Sequence, residues 1–198
     1  MFSKKYHKAL YILLGLMGLG LLVELIVNIN IHVFNLKNEN YIYNLYIPLE
    51  YLFYASFFYY INTNKLIKKV IKLTIPLFII SVLLILKNNP VAEGKFLSNV
   101  YILGGILTVS LSFWSLFILK PIKHLKFNKH PLFWFCTAFI VFYTCILPFS
   151  IFQFDLERKN IELFIKASHF LRKGANIIFY ILLLIGFIFS DKLVRWKK

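Results

Sequence analysis

Two glutamates lie inside long apolar segments of this 198-residue chain. Glu50 stands near the middle of IYNLYIPLEYLFYASFFYY, residues 42–60, and Glu24 stands in the first apolar segment. An ionised acid at the centre of a bilayer costs about 2.5–3.5 kcal/mol on insertion scales, so we expect both side chains to face protein rather than lipid. Carboxyl groups placed in this way could bind a cation or a small ligand, exchange a proton, or pair with a buried base.

Both glutamates belong to stripes of residues that share one face of a helix. The first stripe recurs at every fourth position, in the order Gly20, Glu24, Asn28 and His32. The second recurs at intervals of three and four, in the order Tyr43, Tyr46 (or Ile47), Glu50, Tyr54 and Phe57. Because the two segments are joined by a short connection and the acids lie at similar depths, we predict that they face each other.

Two further segments carry polar faces. The outer half of the sixth segment offers partners on one face, namely His169, Arg172 (or Lys173), Asn176 and Tyr180. The fourth carries small and hydroxyl residues at helical spacing, namely Tyr101, Gly105, Thr108, Ser112 and Ser115. A stripe of this kind predicts close packing between membrane helices.

These polar side chains predict a cup that opens to the outer side of the membrane. The predicted ligand-binding residues are Glu24, Asn28, His32, Tyr43, Asn44, Glu50, Tyr54, His169, Arg172 and Asn176. The alternative is a polar network that only fixes helix packing. In either case two carboxyls cannot both ionise cheaply without a cation, so we expect Glu50 to share a proton with Glu24 or to pair with Arg172.

No catalytic residue, metal site or cofactor is predicted. The chain contains no GxSxG, Gly-rich phosphate loop, HxxxH or HExxH pattern. His32 and His169 fall at outer helix ends, where lone histidines are common. We expect His124 and His130 to be solvated in a cytoplasmic loop.

The elements that must position these residues are membrane helices. A chain that is 60% hydrophobic and 19% aromatic is too apolar for a soluble domain of this length. We predict an all-α, polytopic membrane helix bundle that forms a single transmembrane domain over residues 1–198. Its six transmembrane helices are predicted at about 9–33, 41–61, 70–87, 98–119, 132–154 and 168–190. The first is expected to be retained, because its apolar run is too long for a signal peptide.

The charge distribution predicts the orientation. The formal net charge is +15, and fifteen of the 23 lysines and arginines lie in the N-terminus, two connections and the C-terminus, which all fall on one side. Basic residues mark the cytoplasmic side, so both termini are predicted to be inside. We expect these lysines to contact anionic lipid heads at the cytoplasmic face, and the loops are too short for nucleic-acid binding.

The last outer connection, FDLERKNIELFIKAS, has an apolar stripe among its charges. Its pattern predicts a short amphipathic helix over 155–167 that lies on the outer membrane surface.

Two stretches of the sequence resemble segments of a known group of membrane proteins. KHPLFWFCTAFIVFYTCILPF and the later FLRKGANIIFYILLLIGFIF, together with Tyr43, Asn44, Tyr46 and Glu50, are similar to small uncharacterised multi-pass inner-membrane proteins of Bacteroidota. Those proteins show an N-P-x-F-W-like entry to one helix, and this chain has His130 where Asn is expected. The resemblance implies a sensory or regulatory role and supplies no catalytic residues.

The leading hypothesis is a sensory or signalling-accessory protein of the inner membrane that binds a small ligand, or responds to protons, in the outer cup. We expect it to need a membrane or cytoplasmic signalling partner, since only eight residues follow the last predicted helix. The first alternative is a proton- or cation-coupled transporter or channel subunit that uses Glu24 and Glu50 as a relay. The second is a membrane-embedded enzyme that modifies lipids.

Overall fold

The computed structural model describes residues 4–32, 40–88, 97–119, 126–159 and 161–195, and these residues form six α-helices. The helices are α1 (Lys4–His32), α2 (Asn40–Ile61), α3 (Lys65–Asn88), α4 (Ser98–Phe117), α5 (Pro131–Lys159) and α6 (Ile161–Arg195). The part of the chain that the structure describes contains no strand. The prediction of an all-α fold is therefore confirmed.

Five of the six helices are long and apolar enough to cross a membrane. These five helices support the conclusion that the chain is a membrane protein, because a helix satisfies its own backbone hydrogen bonds and can be inserted into lipid. The exception is α2, whose 22 residues include seven tyrosines as well as Pro48 and Glu50. The number of crossing helices and the inside position of the termini stay predictions.

The chain divides into two compact units. One contains α1, α2, α3 and the first part of α4, up to Gly104. The other begins at Gly105 and contains the rest of α4 with α5 and α6.

In the first unit, α1 and α2 pack as an antiparallel pair. A Cβ built at Gly15 would lie 3.8 Å from the ring of Phe53, and one built at Gly20 would lie 3.2 Å from the hydroxyl of Tyr46. Small residues on α1 therefore make room for aromatic side chains of α2. The opposite side of α2 packs on α3, where the rings of Tyr51 and Phe78 are 4.1 Å apart.

In the second unit, aromatic side chains hold α5 against α6. Phe135 lies 5.2 Å from Phe187 in an edge-to-face arrangement, and Phe139 lies 5.6 Å from Phe179. Ring pairs at these distances add to the free energy of burial. Phe135 is fully buried and fills the space that the absent side chain of Gly186 leaves.

The small and hydroxyl stripe of α4 packs closely, as predicted. Gly105 lies so near α5 that a Cβ there would be 2.7 Å from the ring of Tyr143. Thr108, Ser112 and Ser115 follow on the same stripe, and all three are fully buried.

The helix α3 is longer than the membrane span predicted for it. α3 begins at Lys65 rather than near residue 70, so the lysines assigned to a connection belong to its first turns. The true connection is 62–64, and the side-chain oxygen of Asn64 accepts the backbone N–H of Leu66 at 2.7 Å. This cap allows the helix to begin before the apolar run does, because it satisfies one of the free N–H groups of the first turn.

The described residues between the fifth and sixth apolar segments are helical, although they do not form a separate short helix. α5 continues to Lys159 and α6 begins at Ile161, so residues 155–159 and 161–167 belong to the ends of two long helices. The rings of Phe149 and Phe164 are stacked at 5.6 Å, and this contact extends the pairing of α5 and α6 beyond the apolar window of α6, which begins at Lys173. Phe164, the one member of the apolar stripe whose side chain is described, is thus used for packing between helices.

Candidate functional site

Glu50 lies on α2 and is held by tyrosine hydroxyls. The hydroxyl of Tyr54, one turn further along α2, donates a hydrogen bond of 2.9 Å to its carboxylate, and the side chain of Tyr46 is a second partner. Glu50 itself is only partly exposed, and Tyr54 is buried. The carboxyl group is therefore turned toward protein.

Glu24 on α1 also meets a tyrosine of α2. The hydroxyl of Tyr43 donates to its carboxylate over 3.3 Å, which is a longer and weaker contact than that of Glu50. Glu24 is exposed. The side-chain amide of Asn28 donates to the backbone carbonyl of Glu24 at 2.8 Å, so Asn28 is engaged within its own helix.

The antiparallel register explains why these residues meet. Tyr43 lies beside Glu24, and Tyr46, one turn further along α2, lies beside Gly20, one turn earlier on α1. Because Gly20 has no side chain, the hydroxyl of Tyr46 fits against α1. We call Glu24, Tyr43, Tyr46, Glu50 and Tyr54 the tyrosine–glutamate cluster.

Asn44 has a different environment from that of the cluster. It is 4% exposed, and its side-chain oxygen accepts the backbone N–H of Leu97 at 2.8 Å. Leu97 immediately precedes α4, where backbone N–H groups lack helical partners. Asn44 thus ties the start of α4 to α2.

The other predicted site residues are not brought into this cluster by any described contact. Asn176 is exposed on α6, which belongs to the other unit. The helical backbone at His32, His169 and Arg172 is described, but their side chains lie outside the described part. Among the side chains that the structure does describe, no three His, Cys, Asp or Glu residues form a group that could hold a metal ion.

The described hydrogen-bond partners of Glu50 are Tyr54 and Tyr46. We expected a proton shared with Glu24 or an ion pair with Arg172. The side chain of Arg172 lies outside the described part, so the ion pair stays a prediction. The tyrosines were visible in the sequence at helical spacing, but the spacing alone did not show that their hydroxyls reach the acids.

His130 forms a second feature that the sequence did not predict. It was expected to be solvated, but it is partly buried and its Nδ1 accepts the backbone N–H of Leu132 at 3.2 Å. It therefore caps the start of α5, just before Pro131, in the position where the resembling pattern has Asn. Burial lowers the pKa of His130 to about 4.

The start of α5 is held by a second hydrogen bond. The indole N–H of Trp134 donates to the backbone carbonyl of Asn128 at 2.7 Å and ties α5 to the segment that precedes it.

Comparison with known proteins identifies no relative: no family model, curated protein or solved structure matches the chain. The resemblance to membrane proteins of Bacteroidota stays a prediction.

Proposed function

We propose that the protein is a sensory or signalling-accessory membrane protein whose proton-responsive element is the tyrosine–glutamate cluster of α1 and α2. The observation that carries the proposal is the set of tyrosine hydroxyls around Glu50 inside a packed helix pair. A charge within the bilayer costs about 2.5–3.5 kcal/mol, so the free energy of this pair depends strongly on whether Glu50 carries a proton.

Protonation would also change the direction of the hydrogen bonds. An ionised carboxylate only accepts, so both Tyr46 and Tyr54 donate a hydrogen bond to it. A protonated carboxyl can donate one hydrogen bond, and a tyrosine hydroxyl that receives it changes from donor to acceptor. Because the hydroxyl of Tyr46 lies against Gly20, such a change at Tyr46 would alter the contact between α2 and α1.

Infrared spectroscopy of the full-length protein in nanodiscs tests the proposal. We expect the band of a protonated carboxyl to appear as the pH is lowered, and to be absent from Glu50→Gln. A maleimide spin label at a cysteine introduced for Lys8, in the first turns of α1, should change mobility over the same pH range. Glu24→Gln is the matched control, since Glu24 is exposed and should leave the Glu50 band in place.

The proposal is wrong if the spin-label signal is independent of pH, or if its pH dependence survives in Glu50→Gln. In that case the cluster only fixes the packing of α1 on α2.

A transporter or channel subunit is the second candidate. One observation favours it: hydroxyl and carboxyl groups follow one another along the α1–α2 interface, from Tyr43 and Glu24 to Tyr46, Glu50 and Tyr54. Such a series could relay protons. Proteoliposomes with an internal pH dye separate the two functions, because a relay predicts proton flux that is lost in Glu50→Gln and a sensor predicts none.

A further inference from the structure

Lysines and tyrosines gather at the opposite end of the first unit from Glu24. Lys8 lies in α1 with its ammonium group 5.0 Å from the ring centre of Tyr60, near the end of α2. Lys68 and Lys72, both in the first turns of α3, lie 5.3 Å and 5.8 Å from the ring centre of Tyr59. We call these five residues the lysine–tyrosine cluster.

Among the described side chains, no acid pairs with the three positive charges of this cluster. The one ion pair found among the described residues is Lys166 with Glu162, in the other unit. Lys68 and Lys72 are four residues apart on one helix, a spacing at which like charges repel and destabilise. Aromatic rings attract ammonium groups without neutralising them. An anion between the lysines would remove this repulsion.

The position of the cluster indicates which anion is available. It lies at the helix ends that the charge distribution assigns to the cytoplasmic side, at the level where tyrosine rings and lysine side chains reach the lipid headgroups. Lys8 and Lys72 are exposed, and Lys68 is partly so, which leaves their N–H donors accessible. The phosphates of anionic phospholipids are fixed at this depth of the membrane.

We infer that the lysine–tyrosine cluster binds the phosphate of an anionic phospholipid. The ammonium groups of the three lysines, from α1 and α3, donate to the phosphate oxygens. The rings of Tyr59 and Tyr60 on α2 contact the same ammonium groups and hold the lysine side chains in place. The site would join the three helices of the first unit through a lipid. This inference is independent of the proton-responsive cluster, because no residue is shared between them.

The test is a lipid titration of the full-length protein in detergent, read by native mass spectrometry. Phosphatidylglycerol is the probe, and phosphatidylcholine is the neutral reference. We expect Lys68→Gln/Lys72→Gln to weaken phosphatidylglycerol binding by about 30-fold, the effect of two lysines near an anionic lipid. Lys65→Gln/Lys69→Gln is the matched control, since it removes the same charge from exposed positions of α3 that have no ring contact.

A ring variant adds an independent measurement. Tyr59→Phe keeps the ring and should retain most of the binding, whereas Tyr59→Leu should approach the loss seen in the double lysine variant. Each protein is compared by thermal unfolding without added lipid, so that a folding defect is recognised. Equal losses in the two double lysine variants would show attraction to net charge and overturn the site.

Inorganic phosphate distinguishes a lipid from a soluble anion. We expect phosphate to leave phosphatidylglycerol bound, because the lipid also contacts the protein through its acyl chains. If phosphate alone displaces the lipid and raises the unfolding temperature in the same variants, the cluster is a site for soluble phosphate and the lipid inference is wrong.

Discussion

At the scale of single residues, hydroxyl groups decide how an acid is held among apolar helices. Glu50 is paired with tyrosines of its own helix, and neither described partner is a base. A phenol can hydrogen-bond to a carboxyl group in either protonation state, whereas a lysine or arginine would favour the ionised form. The arrangement therefore suits a group that exchanges a proton.

Substitution of Glu50 tests this arrangement through stability. Glu50→Leu removes one hydrogen bond from each of two tyrosine hydroxyls in a partly buried place, and we expect a loss of about 1–3 kcal/mol. Glu50→Gln keeps an acceptor oxygen and should cost less. The measurement is thermal unfolding in detergent at neutral pH. Glu24→Leu serves as control, because Glu24 is exposed and its contact with Tyr43 is longer, and equal losses at both positions would contradict the assignment.

His130 predicts that stability depends on pH. Burial lowers its folded pKa to about 4 from the ordinary histidine value of 6.5. The unfolded state therefore binds the proton first, so the contribution of neutral His130 is complete above pH 6.5 and is lost as the pH falls toward 4. Protonation of Nδ1 also abolishes the cap, which is typically worth about 1 kcal/mol.

The variant His130→Asn checks this assignment. Asparagine caps a helix without titrating, so we expect a similar unfolding temperature at neutral pH and a smaller loss in acid. His7→Asn is the control, because His7 is exposed and should leave the acid profile unchanged. If His130→Asn keeps the full acid dependence of the parent, other groups are responsible.

At the scale of helices, glycines set how closely the elements approach. Gly186 faces Phe135, where an added Cβ would lie 2.6 Å from the ring, and that ring is fully buried. Gly174, on the same helix, has no atom within 4 Å of the equivalent position. One helix therefore provides both a constrained and an unconstrained glycine.

We expect Gly186→Ala to destabilise the protein by about 1–3 kcal/mol, because the buried ring must move. Gly174→Ala should be neutral or stabilise by up to about 1 kcal/mol, since alanine favours a helix more than glycine does. Chemical denaturation monitored by circular dichroism compares the two. A stabilising effect at Gly186 would show that α5 and α6 separate more easily than their aromatic contacts indicate.

At the scale of the whole molecule, α5 and α6 are both longer than their apolar windows. The 29 residues of α5 extend about 43 Å at 1.5 Å per residue, whereas the hydrocarbon core of a bilayer is about 30 Å thick. The apolar windows occupy Pro131–Phe152 and Lys173–Ser190, so the last part of α5 and the first part of α6 lie outside the apolar windows of their helices.

Cysteine labelling tests the predicted orientation. A membrane-impermeant maleimide added to intact cells should label Lys159→Cys and should not label Asn64→Cys or Asn128→Cys until the cells are opened. The unmodified protein controls for Cys136, which is buried, and for Cys145, which lies on an apolar part of α5. The reverse pattern would place the termini outside.

The class of the protein and the approximate positions of its helices follow from the amino-acid sequence. Long apolar segments can satisfy their backbone only as helices in lipid, so composition and length suffice for this conclusion. The close packing of the α4 stripe was also predictable, because small residues repeat at helical spacing. The start of α3 was not, because Asn64 caps a helix that begins among lysines, where the hydrophobic pattern gives no signal.

The hydrogen-bond partners of the two glutamates are seen only once the helices are packed together. Periodicity fixes which residues share one face of a helix, but it leaves free the rotation and the sliding of that helix against its neighbour. Here Gly15 and Gly20 of α1 receive Phe53 and Tyr46 of α2, and this fit sets the register of the pair. The register places Tyr43 beside Glu24, while Glu50 is taken by the tyrosines of its own helix. Hydrogen bonds act over about 3 Å, so they depend on this fit between helices, which a single sequence read by its periodicity does not contain.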